Sequence, residues 1–562
     1  MQLALLTRTG IVMVDAGNEN ATKLLIYVTG LVPPKSDALL QKMANAQPGQ
    51  WLVHQHDHRL KPWGRQKKLE AAVDTLSADI ATRVRVQENK TGTDVEEVRL
   101  VGHSIGGLLA RAAYLKSGGW WQTVSGDNVP WAPKVRRIVL LGSPNAGYRR
   151  EAMKWHLRVL LFLLGPFAKF TAEATEYQGY WITNLRLRWL NAFDAMGASA
   201  PLTVNVIGGK DGLVTADDTQ DVAFMPRMVD LTTGGADHAG LVNIDQSPDP
   251  EGLWIDLQKA IFDEDYFTPE DAHPRSKEPV YFIEHGIRTD ANDAWVKPIM
   301  DAIGGSPAVV IAPSYGFFSA WEFALPLNRH RNVHNFLNAY AEKARTHHPN
   351  NFRFFGHSNG TFMMGRSLLE VSAVKFERIM LAGTVLPPKF RWTDLVENGQ
   401  IGHYTPSGDW QAGIVHNDRA RIDGPVGVLC AFLNGLWPFQ QDIGPGGTRG
   451  FDNAAVVTEH SLFWPGGHGG ALTTQRGYAD RPTEIAKFLR GGADTCKPTK
   501  KSPWIFRAFS RLLQVGAWLI VAAIVYGLYV LFGNAAEAWG LATAVASYAA
   551  GAILIYLILR II

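Results

Sequence analysis

Apolar positions along the chain alternate between two patterns. Short runs rich in Val, Ile, Leu, Phe and Tyr, bounded by turn residues, predict strands; examples are residues 24–28, 98–101, 137–141 and 378–382. Longer polar-apolar stretches over 68–86 and 333–347 predict helices. The N-terminus reads as two short strands around a Thr-Gly turn rather than a signal peptide, because Arg8 interrupts its short apolar stretch.

The pattern repeats. Leu24-Leu-Ile-Tyr-Val-Thr-Gly30 recurs as Val280-Tyr-Phe-Ile-Glu-His-Gly286. A second strand candidate follows in each half, around 51–54 and 309–312, and then a helix. Next, at nearly the same distance in both halves, a strand runs into Gly-His-Ser104-Ile-Gly or Gly-His-Ser358-Asn-Gly, and a helix candidate follows (106–116 and 360–371). Strands alternating with helices predict parallel sheets joined by crossover helices. The charged, proline-bearing stretch 263–279 separates the halves, with a boundary near residue 270.

The C-terminal pattern differs. Residues 512–532 are almost wholly apolar, with Gln514 the one strongly polar interruption; 533–537 form a polar break, and 539–559 are apolar again. About twenty residues at roughly 1.5 Å each span the roughly 30 Å of a bilayer's hydrocarbon. A transmembrane helical hairpin is expected. Lys497, Lys500, Lys501, Arg507 and Arg511 precede it and Arg560 follows, while the connecting loop has no Lys or Arg. The positive-inside rule then places the large N-terminal part and the C-terminus on the cytoplasmic side, as in a bacterial inner membrane.

Composition changes this picture little. Hydrophobic residues make up 46% and charged residues 19%, and the net charge of +3 with scattered Lys and Arg argues against a nucleic-acid partner. The two cysteines, Cys430 and Cys496, imply no disulfide framework, and no Cys/His metal spacing is present. No metal or organic cofactor is called for, and oligomeric state is not readable.

Strand, then G-x-S-x-G, then helix is a nucleophile elbow: flanking glycines allow a turn tight enough to project the serine hydroxyl beside the backbone N–H of the next residue. Together with Leu-Leu-Ala-Arg111 and Leu-Gly-Ser-Pro-Asn-Ala-Gly147, these motifs resemble the lipase-like serine esterases of the α/β-hydrolase superfamily. The resemblance implies two tandem α/β-hydrolase domains, each a mostly parallel sheet flanked by helices, over 1–265 and 280–490. Linkers cover 266–279 and 491–503, and the hairpin 504–562. The superfamily's chain order of Ser, acid, His implies two triads. The first is Ser104, Asp211 and His238, with Asp217 and Asp218 as alternatives to Asp211. The second is Ser358, Asp409 and His468, with Asp442 and Asp452 also preceding His468. The oxyanion donors implied are the N–H groups of Leu31 and Ile105 in one half, and of Ile287 and Asn359 in the other.

The first half carries an apolar insertion where the superfamily places a cap, about 148–195. It reads either as a lipid-facing lid or as a cap packed on its own domain; the second half has a smaller aromatic insertion at 431–439. The expectation is a membrane-anchored serine ester hydrolase, lipase or phospholipase-like, whose partners are the bilayer and an ester or lipid substrate. Alternatives are an anchored thioesterase or small-ester esterase, or a scaffold or defence effector with one inactive unit. The second half departs more, with Asn359 after the serine and Thr361 in place of Gly107.

Overall fold

The computed structural model describes residues 14–31, 38–58, 60, 66–121, 130–148, 175–177, 179–212, 214, 216–219, 227–264, 275–287, 295–304, 309–311, 323, 326–405, 407, 409–436, 442–452, 456–472, 474, 480–492, 497–540 and 545. The chain divides into two compact units, Met1–Pro274 and Arg275–Ile562.

In the first unit the elements run β1 (Val14–Gly17), β2 (Lys23–Val28), α1 (Ala38–Ala46), β3 (Trp51–His56), α2 (Gln66–Thr91), β4 (Glu97–His103), α3 (Ile105–Ser117), β5 (Val135–Leu141), α4 (Tyr180–Met196), β6 (Leu202–Gly208), β7 (Met228–Thr233) and α5 (Pro250–Phe262). They form a seven-stranded sheet of order β1-β3-β2-β4-β5-β6-β7. All pairings are parallel except β1 with β3. Strand β2 shows why residues 24–28 are apolar. Leu24, Ile26 and Val28 enter the core under α2 and α3, while Leu25 and Tyr27 enter the one on the opposite face. A strand covered on both faces has no solvent side on which a polar residue would be tolerated. Helix α2 sends Leu69, Val73, Leu76, Ile80 and Val84 into the first of these cores, the spacing of one helical face. Beneath it, His54 on β3 is bonded through Nδ1 to Asp15 (2.7 Å) and through Nε2 to Asp79 on α2 (3.0 Å).

In the second unit the elements run β8 (Val280–Glu284), α6 (Val296–Ile303), β9 (Val309–Ile311), α7 (Pro326–Thr346), β10 (Phe352–His357), α8 (Asn359–Glu370), β11 (Arg378–Ala382), β12 (Gly402–Tyr404), β13 (Trp410–Ala412) and β14 (Ile414–Asp418). A π-helical turn (Pro425–Cys430) continues into α9 (Ala431–Leu436), and β15 (Val457–Glu459), α10 (Arg481–Leu489) and α11 (Trp504–Trp539) follow. The main sheet, β15-β14-β11-β10-β8-β9, is parallel throughout. Phe282 of β8 packs its ring on Phe336 and Tyr340 of α7 and on Phe352 and Phe376. The α/β architecture expected from the alternating pattern is therefore present in both units.

The stretch expected to interrupt the C-terminal helix does not: α11 runs unbroken through 533–537 and ends at Trp539, with Gly540 at φ +81°. Ala535, Ala536 and Glu537 are good helix formers, so polarity alone breaks nothing there. Within it, Trp504–Ile524 is long and apolar enough to cross a membrane. Of the second apolar run, only Trp539, Gly540 and Val545 are described. In the insertion of the first half, 149–174 fall outside the described residues. The rest includes α4, whose Trp181, Ile182, Leu185, Trp189 and Phe193 are buried in the unit's own core rather than turned to solvent.

Deep in the second unit, Asp418 at the end of β14 pairs with Arg481 on α10 and accepts from Trp464 Nε1 (2.9 Å), with His416 Nε2 at 3.2 Å. Burial by itself would raise the Asp418 carboxyl, but Arg481, His416 and Trp464 hold it well below the usual carboxylate range. The Arg481 guanidinium also lies over the Trp464 ring, 4.5 Å from its centroid. Asp418→Ala would strand a buried cation and should destabilise this unit by about 3–5 kcal/mol, measured by chemical denaturation with hydrogen exchange in β10 and β11 as the local reporter.

Candidate functional site

Ser104 and Ser358 hold φ of 55° and 53°, and Arg227 is the one other non-glycine residue at positive φ among the described residues. Such a backbone costs on the order of 1–3 kcal/mol and persists only where its surroundings over-determine it. Each serine is the N-cap of the helix that follows, α3 or α8, and uses no side-chain cap bond. Each N–H is tied across the sheet, Ser104 to the Leu141 carbonyl (2.9 Å) and Ser358 to that of Ala382 (3.2 Å). The turn fits because glycine follows. A Cβ on Gly106 would lie 2.3 Å from the Thr29 carbonyl oxygen, and one on Gly360 2.6 Å from that of Glu284. Both serines are therefore elbows at the carboxyl ends of β4 and β10.

The first acid and base meet as expected. His238 Nδ1 is 2.7 Å from Asp211 Oδ2, with the carboxylate buried and the imidazole partly exposed. Asp211 Oδ1 also accepts from the Val214 N–H (2.9 Å), which fixes the carboxylate. The pair lies against the sheet beside the elbow: a Cβ on Gly142, the residue after Leu141, would lie 3.1 Å from Asp211 Oδ2 and 3.3 Å from His238 Nδ1.

In the second unit the structure departs from the expectation. Asp409 is exposed and closes the β12–β13 hairpin: its carboxylate accepts from Ser407 (2.8 Å) and its N–H donates to Thr405 Oγ1 (3.1 Å). It has no bond to His468. Asp442 is engaged with Arg366 (2.7 Å). The partner of His468 is Asp423, whose fully buried carboxylate places both oxygens 2.9 Å from Nδ1. Asp423 Oδ1 accepts from the Val426 N–H (3.0 Å), the same local arrangement as Asp211 with Val214. Sequence carried this signal: Asp211-Gly-Leu-Val214 recurs as Asp423-Gly-Pro-Val426. The Nε2 of His468 is buried and has no hydrogen-bond partner, which leaves it available to a hydroxyl.

A further pair of residues links serine to base. His103 and His357, just before the serines, reach the backbone carbonyls of His238 (Nε2 to O 2.9 Å) and His468 (3.3 Å). Their rings lie 4.9 and 4.4 Å from those of the same two histidines. Burial, then the neighbouring histidine, pushes His103 down to about 3 and His357 well below its ordinary value. Both are neutral imidazoles donating to a carbonyl, so each elbow is bonded to the loop that carries its base.

The loops expected to supply oxyanion donors lie over the serines. A Cβ on Gly30 would come 3.2 Å from that of Ser104, and one on Gly286 2.9 Å from that of Ser358. Leu31 and Ile287 follow these glycines. Ile105 and Asn359 open α3 and α8, where first-turn N–H groups have no partner within the helix. His58, which no sequence motif marks, braces the first loop through Thr29 O (2.9 Å). In the second unit Glu284, where β2 has Val28, is fully buried without a hydrogen bond, and burial raises its carboxyl far above the usual range. Thr361, which replaces Gly107, serves as a clamp: its hydroxyl donates to Ser358 O (2.7 Å) and accepts from the Val385 N–H (3.2 Å).

His416, Asp418 and His460 bring ligand atoms within 4.8 Å of one another, a spacing that could hold a metal ion. Asp418 is already committed to Arg481 and Trp464, so a cation would have to displace a buried guanidinium.

No family model matches the chain, and no curated protein matches it. Among solved structures it is similar to an esterase from Pyrobaculum calidifontis, at 16% identity and a TM-score of 0.33, covering 46% of this chain and 83% of that one. It is also similar to a lipase-esterase related protein from Clostridium acetobutylicum (13%, TM-score 0.28, 45% and 99%). A hormone-sensitive lipase from a metagenome library gives 16%, 0.30, 46% and 82%.

Two outcomes follow from this geometry. Asp423→Asn should slow fluorophosphonate labelling of Ser358 by on the order of 10³–10⁴-fold, whereas Asp409→Asn, an exposed change, should leave it within about twofold. The second concerns pH. Folded His103 stays neutral down to about 3, while the unfolded chain protonates near 6.5. Between these values the unfolded state binds the extra proton, so the first unit should lose stability as pH falls below 6.5. His103→Gln should weaken this dependence in thermal melts across that range without abolishing it, because His58, pushed down to about 4, keeps its own share.

Proposed function

We propose, from the α/β-hydrolase architecture and the two elbows, that this chain is a membrane-anchored serine ester hydrolase of two tandem catalytic units. One observation carries the reading. Twice, a positive-φ serine stands at a strand–helix turn whose preceding residue is bonded to the loop of an Asp-held histidine.

In each unit the histidine Nδ1–H donates to the carboxylate, leaving Nε2 to take the serine proton as Oγ attacks the acyl carbon. Asp211 or Asp423 fixes the tautomer and stabilises the imidazolium. The N–H groups of Leu31 and Ile105, or of Ile287 and Asn359, receive the negative charge on the former carbonyl oxygen. Collapse returns the proton to the departing alcohol and leaves an acyl-serine. Water, deprotonated by the same histidine, then releases the acid.

The candidate span Trp504–Ile524 supports anchoring in a bilayer. The second apolar run, 539–559, completes a hairpin with the catalytic units and the C-terminus on the cytoplasmic side of a bacterial inner membrane. Anchored units meet bilayer esters at high local concentration, so the substrates are acyl lipids, phospholipids among them.

A fluorophosphonate probe should label wild type at two sites, Ser104→Ala and Ser358→Ala at one each, and the double variant at neither. Release of fatty acid from a phospholipid and acylglycerol panel should fall by on the order of 10⁴-fold or more in the double variant. Wild-type protein that neither labels nor releases fatty acid from any lipid would overturn the reading, and hydrolysis confined to short soluble esters or thioesters would reassign the substrate.

A further inference from the structure

The second acid and base are attached to the chain segment that leads into the apolar helix. Asp423 starts the Pro425–Leu436 stretch: its carboxylate accepts from Val426 N–H (3.0 Å) and its carbonyl from Gly427 N–H (2.8 Å). That stretch packs along α11. The contact leaves no room. The Phe506 ring lies where a Cβ on Gly427 would sit, 2.5 Å from Cζ. A Cβ on Gly435 would fall 2.0 Å from the Gln514 carbonyl oxygen and 2.8 Å from Ala517 Cβ. Gln514, the polar interruption of the apolar run, donates its side-chain amide to Asn434. Ser510 and Ala517 are buried on this face, while Trp504, Leu512, Val515 and Leu519 face outward, between 70% and 86% exposed.

The residues before α11 hold both loops. Lys500 exchanges two backbone bonds with Phe463 (2.7 and 3.2 Å), at the start of the loop that carries His468. Ser502 Oγ donates to the Arg421 carbonyl (3.0 Å), and Arg421 Nε donates to Lys501 O (3.2 Å). Arg421 N–H in turn donates to Trp464 O (2.8 Å). Residues 500–502 thus lie across the two loops, two residues from the acid on one and five from the base on the other.

We propose that residues 500–517 are positioning elements of the second site: its Asp423–His468 pair is held in register only while the start of α11 is seated on Pro425–Leu436. This rests on the hydrolase reading of Ser358. It makes α11 more than a tether, because the helix that carries the candidate span Trp504–Ile524 also carries the residues packed against the Asp423 stretch. A soluble truncation before residue 500 would be impaired at Ser358, while Ser104 in the other unit serves as internal reference.

The test uses the full chain in lipid nanodiscs. Gly435→Leu wedges α11 away, Ser502→Ala removes one bond, and Ser502→Thr retains the hydroxyl. Fluorophosphonate labelling of Ser358 relative to Ser104 should fall at least about tenfold for Gly435→Leu. For Ser502→Ala it should fall about fivefold, the effect of a single hydrogen bond near 1 kcal/mol. Ser502→Thr should restore it. Hydrogen exchange should quicken in 421–427 and 463–467 while β10 and β11 remain protected. Wild-type exchange in those loops together with wild-type Ser358 labelling in Gly435→Leu and Ser502→Ala would overturn the proposal. So would loss of protection spreading through β10 and β11, which would make α11 a general prop. Wild-type protein unlabelled at Ser358 would instead defeat the hydrolase reading of that site, and loop exchange would still decide this one.

Discussion

A serine forced to positive φ is the constraint on which the rest depends. The strain at Ser104 and Ser358 survives because each turn is fastened on every side. A neighbouring strand's carbonyl holds the serine N–H, the following glycine packs against the end of β2 or β8, and the preceding histidine is bonded to the base loop. If any fastening is loosened, the backbone can relax towards an ordinary helix start, and the hydroxyl no longer projects from the sheet.

The two units reach this arrangement with different surroundings. In the first, glycine at 107 lets α3 lie against Ser143; in the second, Thr361 fills that space and bonds to Ser358 O and the Val385 N–H. Beneath the turns, Val28 in one is replaced by an unpartnered, buried Glu284 in the other. The acids share a local scheme, a carboxylate bonded to the N–H three residues on, and Asp423 leads directly into the helical stretch Pro425–Leu436. That stretch connects the second site to α11. The turn and its Asp-held histidine are duplicated, then, while the contacts that support them differ.

Buried polar networks also tie elements together within each unit. His54 bridges Asp15 and Asp79 between β1, β3 and α2, and Arg481 joins α10 to the end of β14 through Asp418. Paired in this way, such groups avoid the cost of a lone buried charge.

The α/β class, the repeat and the two elbow serines were legible in the sequence, because they follow from local rules: a strand covered on both faces must be apolar, and the tight turn needs glycine at fixed positions. His238, Asp211 and His468 were also legible from their order and loop context. The acid that meets His468 is the exception: the expected Asp409 lies in a loop that folds back into a hairpin of its own, although the Asp-Gly-x-Val recurrence points to Asp423. The burial of α4 and the bracing of the Asp423 and His468 loops by 500–502 belong to tertiary structure alone. Their reason is physical: spacing along a chain records which residues can share a turn or a helix face, but which of several carboxylates meets a distant imidazole depends on how far the intervening loops reach once packed.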